Sequence, residues 1–258
     1  MVDGGCYMIE RAIFTNEPEQ YDVTPYQRIY FGNEFCENNF LSLERVKKII
    51  AFAKVNHKKI TFVTPFVTDK GLKMIKTFLA VLPPQTEVVF NDYGVLSLLD
   101  GFTPVFGRIL NRQKRGPRIV QLEGKIPQKG YEYFQHCNLD VMGDFLREKK
   151  ISRAEVDNVV QGFKIKTKLQ LSLYYPWIYV STTRLCLLNG IEDLARKKIS
   201  IKPCKRECHN YILTNDAFPL KLYQKGVTQY YFNDKLLSKQ ELVNKGVDRL
   251  VFIPEMIV

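Results

Sequence analysis

The sequence predicts a parallel α/β fold with a strand-rich C-terminal portion, on three observations. Short β-rich runs alternate with helical patterns through the first hundred residues. That rhythm belongs to strand–helix–strand units rather than to a bundle or a sandwich. From about residue 210 to residue 258 the chain reads instead as strands joined by short spacers. With 258 residues, 45% hydrophobic and 12% aromatic, it is long enough to bury one full core. A single domain over 1–258 is expected, with the β/α core across about 26–200 and the strand-rich tail across about 210–258.

Each element has its own local reason. "YQRIYF" (26–31) is the first expected strand. It leads to "SLERVKKIIAFAKVN" (42–56), where Leu43, Val46, Ile49, Ile50 and Ala53 recur at helical spacing and Ser42 stands as N-cap. "KITFVTPF" (59–66) reads as a buried strand, and "DKGLKMIKTFLAVL" (69–82) as a helix stopped by Pro83 and Pro84. "TEVVFND" (86–92) and "TPVFGRIL" (103–110) are further strands. "GPRIVQLEGKIPQKGYEYFQ" reads as a loop with one short extended piece, and "NLDVM" (138–142) as a short strand. Ser152 and Glu155 have the spacing of a capping box, which predicts a helix over "RAEVDNVVQGF". "TKLQLSLYY" (167–175) is the clearest strand of the second half. Asn189 with Glu192, and Ser238 with Glu241, mark two more helix starts. "NYILTND", "LKLYQ", "TQYYFND" and "RLVFIPE" complete the tail, as a small β appendage or barrel-closing hairpins.

Charge narrows the partners. The net charge of +11, from 38 Lys and Arg against 27 Asp and Glu, favours nucleic acid or an acidic protein surface. The densest run is "GRILNRQKRGPR", which makes Arg108, Arg112, Lys114, Arg115 and Arg118 the candidate nucleic-acid contacts. A solvated face is the plainer reading of such a run. No segment approaches the apolar length of a membrane span. "MVDGGCYMIERAIF" lacks the basic start, greasy run and cleavage site of a secretion signal, so the cytoplasm is the expected compartment. H-E-x-x-H, G-x-S-x-G, the dinucleotide fingerprint and the phosphate loop are all missing, which removes support for those hydrolytic and nucleotide chemistries.

Six cysteines remain to be explained, and "KPCKRECHNYI" (202–212) raises the question most sharply. It places Cys204 and Cys208 four residues apart in a basic loop, where Lys202, Lys205 and Arg206 favour thiolates. Cys36 lies just past an expected strand end, and Cys186 follows "LQLSLYY" by about one loop. In a parallel β/α fold those ends share the face where sites gather. Spacing alone leaves inert buried thiols, zinc, an iron–sulfur cluster and redox thiols all open.

The ordered blocks "YFGNEFC", "EVVFNDYGVLSLL", "YYPWIYVSTTRLC" and "CKREC" resemble the collagenase-like peptidase family U-32. The likeness is to its short members, including the anaerobic ubiquinone-biosynthesis iron–sulfur proteins, and spans about residues 26–215. It implies a (β/α) barrel-like core. It also implies that Cys36, Cys186, Cys204 and Cys208 bind a four-iron, four-sulfur cluster, leaving Cys6 and Cys137 outside the ligand set. The activity implied is oxygen-independent hydroxylation of an RNA base or an aromatic small molecule. The alternatives are a non-catalytic, cluster-bearing partner in a heterodimer with another family member, or the peptidase of the family's label. One departure stands out. Many relatives carry a His-Gly pair on the central strand, where this chain reads "LYYPWIYVS".

Further candidates come from the residues themselves. Asn91 and Asp92 end a strand, and either could serve a substrate or cap the next helix. Tyr174, Tyr175, Trp177 and Tyr179 cluster before Cys186, to stack a planar substrate or to cap the core. Arg184, two residues before Cys186, is a candidate for pairing with a substrate carboxylate. His57, His136 and His209 are scattered.

Overall fold

Eight parallel strands close into a barrel in the computed structural model, which describes residues 8–193, 198–199 and 203–257. Seven of them follow one another around the ring. They are β1 (Glu10–Phe14), β2 (Arg28–Gly32), β3 (Lys59–Val63), β4 (Glu87–Phe90), β5 (Thr103–Phe106), β6 (Arg153–Asp157) and β7 (Gln170–Tyr175). The chain then builds β8 (Trp177–Thr182), a short pair β9 (Ile191–Asp193) and β10 (Lys198–Ile199), and β11 (Leu213–Asn215), β12 (Leu222–Lys225) and β13 (Thr228–Phe232). It returns as β14 (Val247–Phe252), which pairs with β7 on one side and β1 on the other. The α/β barrel core and the strand-rich C-terminal portion are therefore both present. The tail supplies an antiparallel sheet, ordered β11-β12-β13-β8, as well as the last barrel strand.

Strand periodicity sorts the side chains into two layers. Ile29, Phe31, Phe62, Val88 and Phe90 face outward and pack with Val46, Ile49, Ile75 and Phe78 of α1 (Leu43–Val55) and α2 (Asp69–Leu79). Phe14, Tyr30, Val63, Val89, Val105 and Tyr174 face inward and fill the lumen. Only one residue, Pro176, separates β7 from β8, so the antiparallel sheet stands on the C-terminal rim of the barrel. Ser42 caps α1 by accepting from the Arg45 N–H. α3 (Tyr93–Leu96), α4 (Gln128–Glu132), α5 (Gly143–Glu148) and α6 (Leu187–Gly190) are short. α7 (Lys239–Asn244) carries the full Ser238–Glu241 capping box. Among the described residues, no helix is long and apolar enough to cross a membrane.

Several expectations are corrected. Residues 153–157 form β6, not a helix, because Ala154 and Val156 pack outward while Arg153, Glu155 and Asp157 point into the lumen. Glu155 is therefore a barrel residue and not a cap. "NLDVM" contains a tight turn at Asn138–Asp140, whose first N–H bonds to the Asn111 carbonyl. The stretch 116–135 holds helical turns at Ile119–Leu122 and Tyr133–Gln135 around α4, with no extended piece. Asn189 sits within α6, and a strand follows it rather than a helix. β1 and β14 lie outside 26–200, so the core is not confined to those residues.

Candidate functional site

The block "GNEFC" delivers Cys36 to the C-terminal mouth of the barrel by a series of local constraints. Gly32 has φ +121°, and a Cβ there would stand 2.2 Å from the Val63 carbonyl oxygen, so glycine is required. The Asn16 side chain brackets it, accepting from the Gly32 N–H at 2.8 Å and donating to its carbonyl at 2.9 Å. Asn33 Oδ1 then accepts from the N–H groups of both Phe35 and Cys36, at 2.9 Å each. Between Asn33 and Phe35, Glu34 turns its carboxylate down into the barrel, and Phe35 packs its ring 5.1 Å from Tyr179. Cys36 emerges half-buried above this layer.

Beneath it lies a fully buried ionic plug. Arg108 grips Glu34 through Nε and Nη2 at 2.8 and 2.6 Å and reaches Asp157 at 2.5 Å. Arg115 holds the other Asp157 oxygen at 2.6 Å. Burial pushes the Glu34 carboxyl up, and the Arg108 fork opposes it. Aromatic faces complete the enclosure, with the Arg108 guanidinium 4.3 Å from the Tyr174 ring and Arg115 4.1 Å from the Tyr179 ring. Gly107 lets the strand end approach Asn91, because a Cβ there would lie 2.1 Å from Asn91 Oδ1.

The remaining thiols come from the rim. Cys186 precedes α6, and its carbonyl accepts from the Gly190 N–H at 2.8 Å. Cys208 is buried in a tight turn at Glu207–His209, while Cys204 is exposed. Arg206 adopts a left-handed φ of 59°, which aims its N–H at Cys204 Sγ, 3.4 Å away. His209 joins the two cysteine segments through Asn39 Oδ1, at 2.7 Å. Cys36, Cys186, Cys204 and Cys208 all line one cavity of about 210 Å³. None of them is in a disulfide.

Electrostatics at Cys36 and Cys208 disfavours bare thiolates. Burial pushes Cys36 up to about 11, and the neighbouring thiols add to the effect, against one N–H from Asn38. Burial raises Cys208 as well, with Cys186 and Cys204 reinforcing it. A cation in the cavity would reverse that preference by stabilising deprotonated sulfur. Among the described residues, no three Cys, His, Asp or Glu side chains are grouped so as to hold a metal ion. A single zinc needs four donors within about 2.3 Å of one point. A four-iron cluster instead takes each sulfur on a different iron, so its ligands stand further apart around a larger body.

Other sequence candidates fall elsewhere. Asn91 is buried, donating to the Thr64 carbonyl at 3.0 Å and accepting from the Ile109 N–H at 3.2 Å, so it ties strand ends together. Asp92 caps α3 through the Gly94 N–H and also takes the Val67 N–H. Tyr175 packs against Phe252 on the outer side of the barrel and does not line the cavity. Arg184 does line it, with its guanidinium 5.2 Å from the Phe66 ring. Tyr174 and Tyr179 are buried around the plug, and Trp177 packs on Tyr223 and Phe232, so these aromatics cap the core.

The basic run is divided. Arg108 and Arg115 are inside the plug and cannot meet a phosphate. Arg112 and Arg118 are exposed, and the Lys114 ammonium sits 4.2 Å from the Tyr133 ring. Cys137 packs against the outer core, away from the cavity, whereas Cys6 and Lys202 lie outside the described residues. Reading the sequence for sites missed Glu34, Asp157 and the true role of both Arg108 and Arg115. The available signal was the alternation in "RAEVD", which marks a strand with acids facing one way.

No family model and no curated protein matches this chain. Among solved structures it is similar to a U32 peptidase, with 12% identity, a TM-score of 0.47 and coverage of 99% of this chain and 96% of the other. It is also similar to a glycoside hydrolase family 18 N-acetylglucosaminidase from Paenibacillus barengoltzii, with 8% identity, a TM-score of 0.41 and coverage of 95% and 94%. The chemistry of the site rests on its own residues.

Proposed function

We propose that this chain is an iron–sulfur protein in which Cys36, Cys186, Cys204 and Cys208 hold a four-iron, four-sulfur cluster at the C-terminal mouth of the barrel. One observation carries the proposal: four cysteines from three separate parts of the chain line the same cavity. When bound, the cluster supplies one-electron transfer, with all four ligand positions taken by thiolates. The chain's own part is to shape its surroundings. Phe35 and Val227 make part of the wall apolar, and the N–H groups of Asn38 and Arg206 point at sulfur. Such hydrogen bonds and shielding tune reduction potential.

The reaction we assign to this centre is oxygen-independent hydroxylation of an RNA base or an aromatic small molecule, in which an external donor such as water supplies the hydroxyl oxygen. With water, the two electrons and two protons released pass to an external acceptor and to solvent, the cluster relaying electrons one at a time. Arg184, braced on Phe66 at the cavity, is one side chain placed to orient the substrate. Beside the cavity the His209 Nε2 is engaged with Asn39 and not with a thiol, which gives a peptidase reading no support at this site. Anaerobic purification with iron and sulfide analysis tests the proposal. We expect a brown protein with about four irons per chain. Cys204→Ser and Cys36→Ser should lose that colour and Cys137→Ser should keep it. A colourless protein after anaerobic reconstitution, or equal bleaching by Cys137→Ser, would sink the assignment.

A further inference from the structure

Inside and around the barrel lumen, five guanidiniums meet five carboxylates, and a sixth carboxyl is left over. At the N-terminal mouth Arg28 and Arg249 share Glu10 and Glu87. On the rim Arg153 holds Asp248. At the C-terminal mouth Arg108 and Arg115 hold Glu34 and Asp157. Glu155, on β6, is the sixth, and it is 0% exposed.

Its two oxygens differ. Oε1 accepts from the Tyr30 hydroxyl at 3.2 Å, and that hydroxyl in turn accepts from Arg249 Nη1 at 2.7 Å. Oε2 has no partner among the described residues. Neither has the hydroxyl of Tyr174, which lies two residues beyond Ser172, the register neighbour of Glu155 on β7. An ionised carboxylate buried without its own cation is far more costly than a neutral acid. We propose that Glu155 is held as a neutral carboxylic acid with its proton on Oε2, forming with Tyr30 and Tyr174 an internal proton site in the barrel lumen.

The charges facing it agree with this. Burial pushes Glu155 up most strongly; Arg249 from β14 and Arg153 from its own strand pull it back, while Glu87 from β4 and Glu34 push it up again, to about 8. Arg108 and Phe35 stand between this site and the cysteine cavity. Tyr174 faces the Arg108 guanidinium, which lies 5.5 Å from the ring of cavity-lining Phe35. Because the folded-state value lies above the ordinary carboxyl range near 4.5, the stabilising contribution is complete below that range and is lost as pH rises through about 8.

Infrared spectroscopy of the full chain at neutral pH tests this directly. The expected result is a carboxylic-acid carbonyl band that moves in heavy water, disappears as pH rises through about 8, and is missing from Glu155→Gln. Urea unfolding from about pH 5 to about pH 9 should show wild-type stability falling with pH by the share of up to one proton, and Glu155→Gln lacking that slope. Absence of the band from the wild type at neutral pH, or its persistence in Glu155→Gln, overturns the proposal. The wild-type band decides the matter even if the variant does not fold.

Discussion

Both mouths of the barrel are closed by arginine–carboxylate networks, yet the two are built for different ends. At the N-terminal mouth Arg28, Glu87, Arg249 and Glu10 all sit on strands, whose ladders already fix them. Their carboxylates keep some contact with water, at 19% and 17% side-chain exposure for Glu10 and Glu87. At the C-terminal mouth Glu34, Arg108 and Arg115 come from loops, and no member of the network exceeds 3% exposure. Loops have no ladder to hold them. There the ion pairs themselves set position, and two residues beyond Glu34 stands Cys36. One network seals the lumen; the other locates the cysteine site.

The sharpest way to break that contrast is Arg108→Met. Glu34 and Asp157 would remain buried with too little positive charge, a loss of about 3–5 kcal/mol for a broken buried network. Urea unfolding should show it, and iron content after anaerobic reconstitution should fall with it because the Cys36 loop loses its anchor. Gly32→Ala comes next. Its φ of +121° and the 2.2 Å approach to the Val63 carbonyl oxygen forbid a side chain without a backbone shift. We expect a cost of about 1–3 kcal/mol with displacement of Cys36, read as reduced iron binding.

At the opposite mouth Glu87→Gln should cost about 1–3 kcal/mol and leave iron content unchanged. That split between stability and metal content is the test of the comparison. It also carries a pH signature of its own. Burial alone would raise Glu87, but Arg249, Arg28 and Arg153 bring it down to about 2. Its contribution is therefore present above the ordinary carboxyl value of about 4.5 and lost as pH falls toward about 2. The acid limb of a stability profile should flatten in Glu87→Gln. The alkaline limb, which we assign to Glu155, should remain in Glu87→Gln but move to lower pH, because the Glu87 charge helps hold Glu155 up.

How much of this was legible in the sequence follows the same division. The outer layer was readable because Val46, Ile49 and Ala53 on α1 and the apolar runs of β3 and β4 obey simple periods. β6 was not, because a strand carrying Arg153, Glu155 and Asp157 into a lumen looks polar enough to be a helix with a cap. Its acids make sense only once Arg108, Arg115 and Arg249, distant in sequence, are seen to converge on the same interior. β1 is only five residues long and opens on the charged pair Glu10 and Arg11, which hides its buried Ala12, Ile13 and Phe14. The four cysteines stand out by their place in the motif blocks, and the cavity they share requires the appended sheet to fold over the rim. Asn91 and Asp92 look functional in sequence because strand ends gather sites, yet here their side chains are consumed by backbone N–H and C=O groups.

The smallest expected effect sharpens the contrast from within one segment. Arg108 and Arg118 belong to the same basic run, but Arg118 is exposed and rests over the Phe218 ring at 5.3 Å. An exposed guanidinium on an aromatic face contributes little, so Arg118→Ala should change stability by no more than about 0.5–1 kcal/mol. Iron content should stay at the wild-type level. Combined with Arg112→Ala, the same substitution separates the two readings of the run's charge. If the exposed arginines bind nucleic acid, Arg112→Ala with Arg118→Ala should weaken a salt-sensitive association and lower its salt slope by about 2. If they are only a solvated face, that association is the same in variant and wild type. In either case a stability loss approaching that of Arg108→Met would show that burial does not distinguish these arginines, and the division between plug and surface would fail.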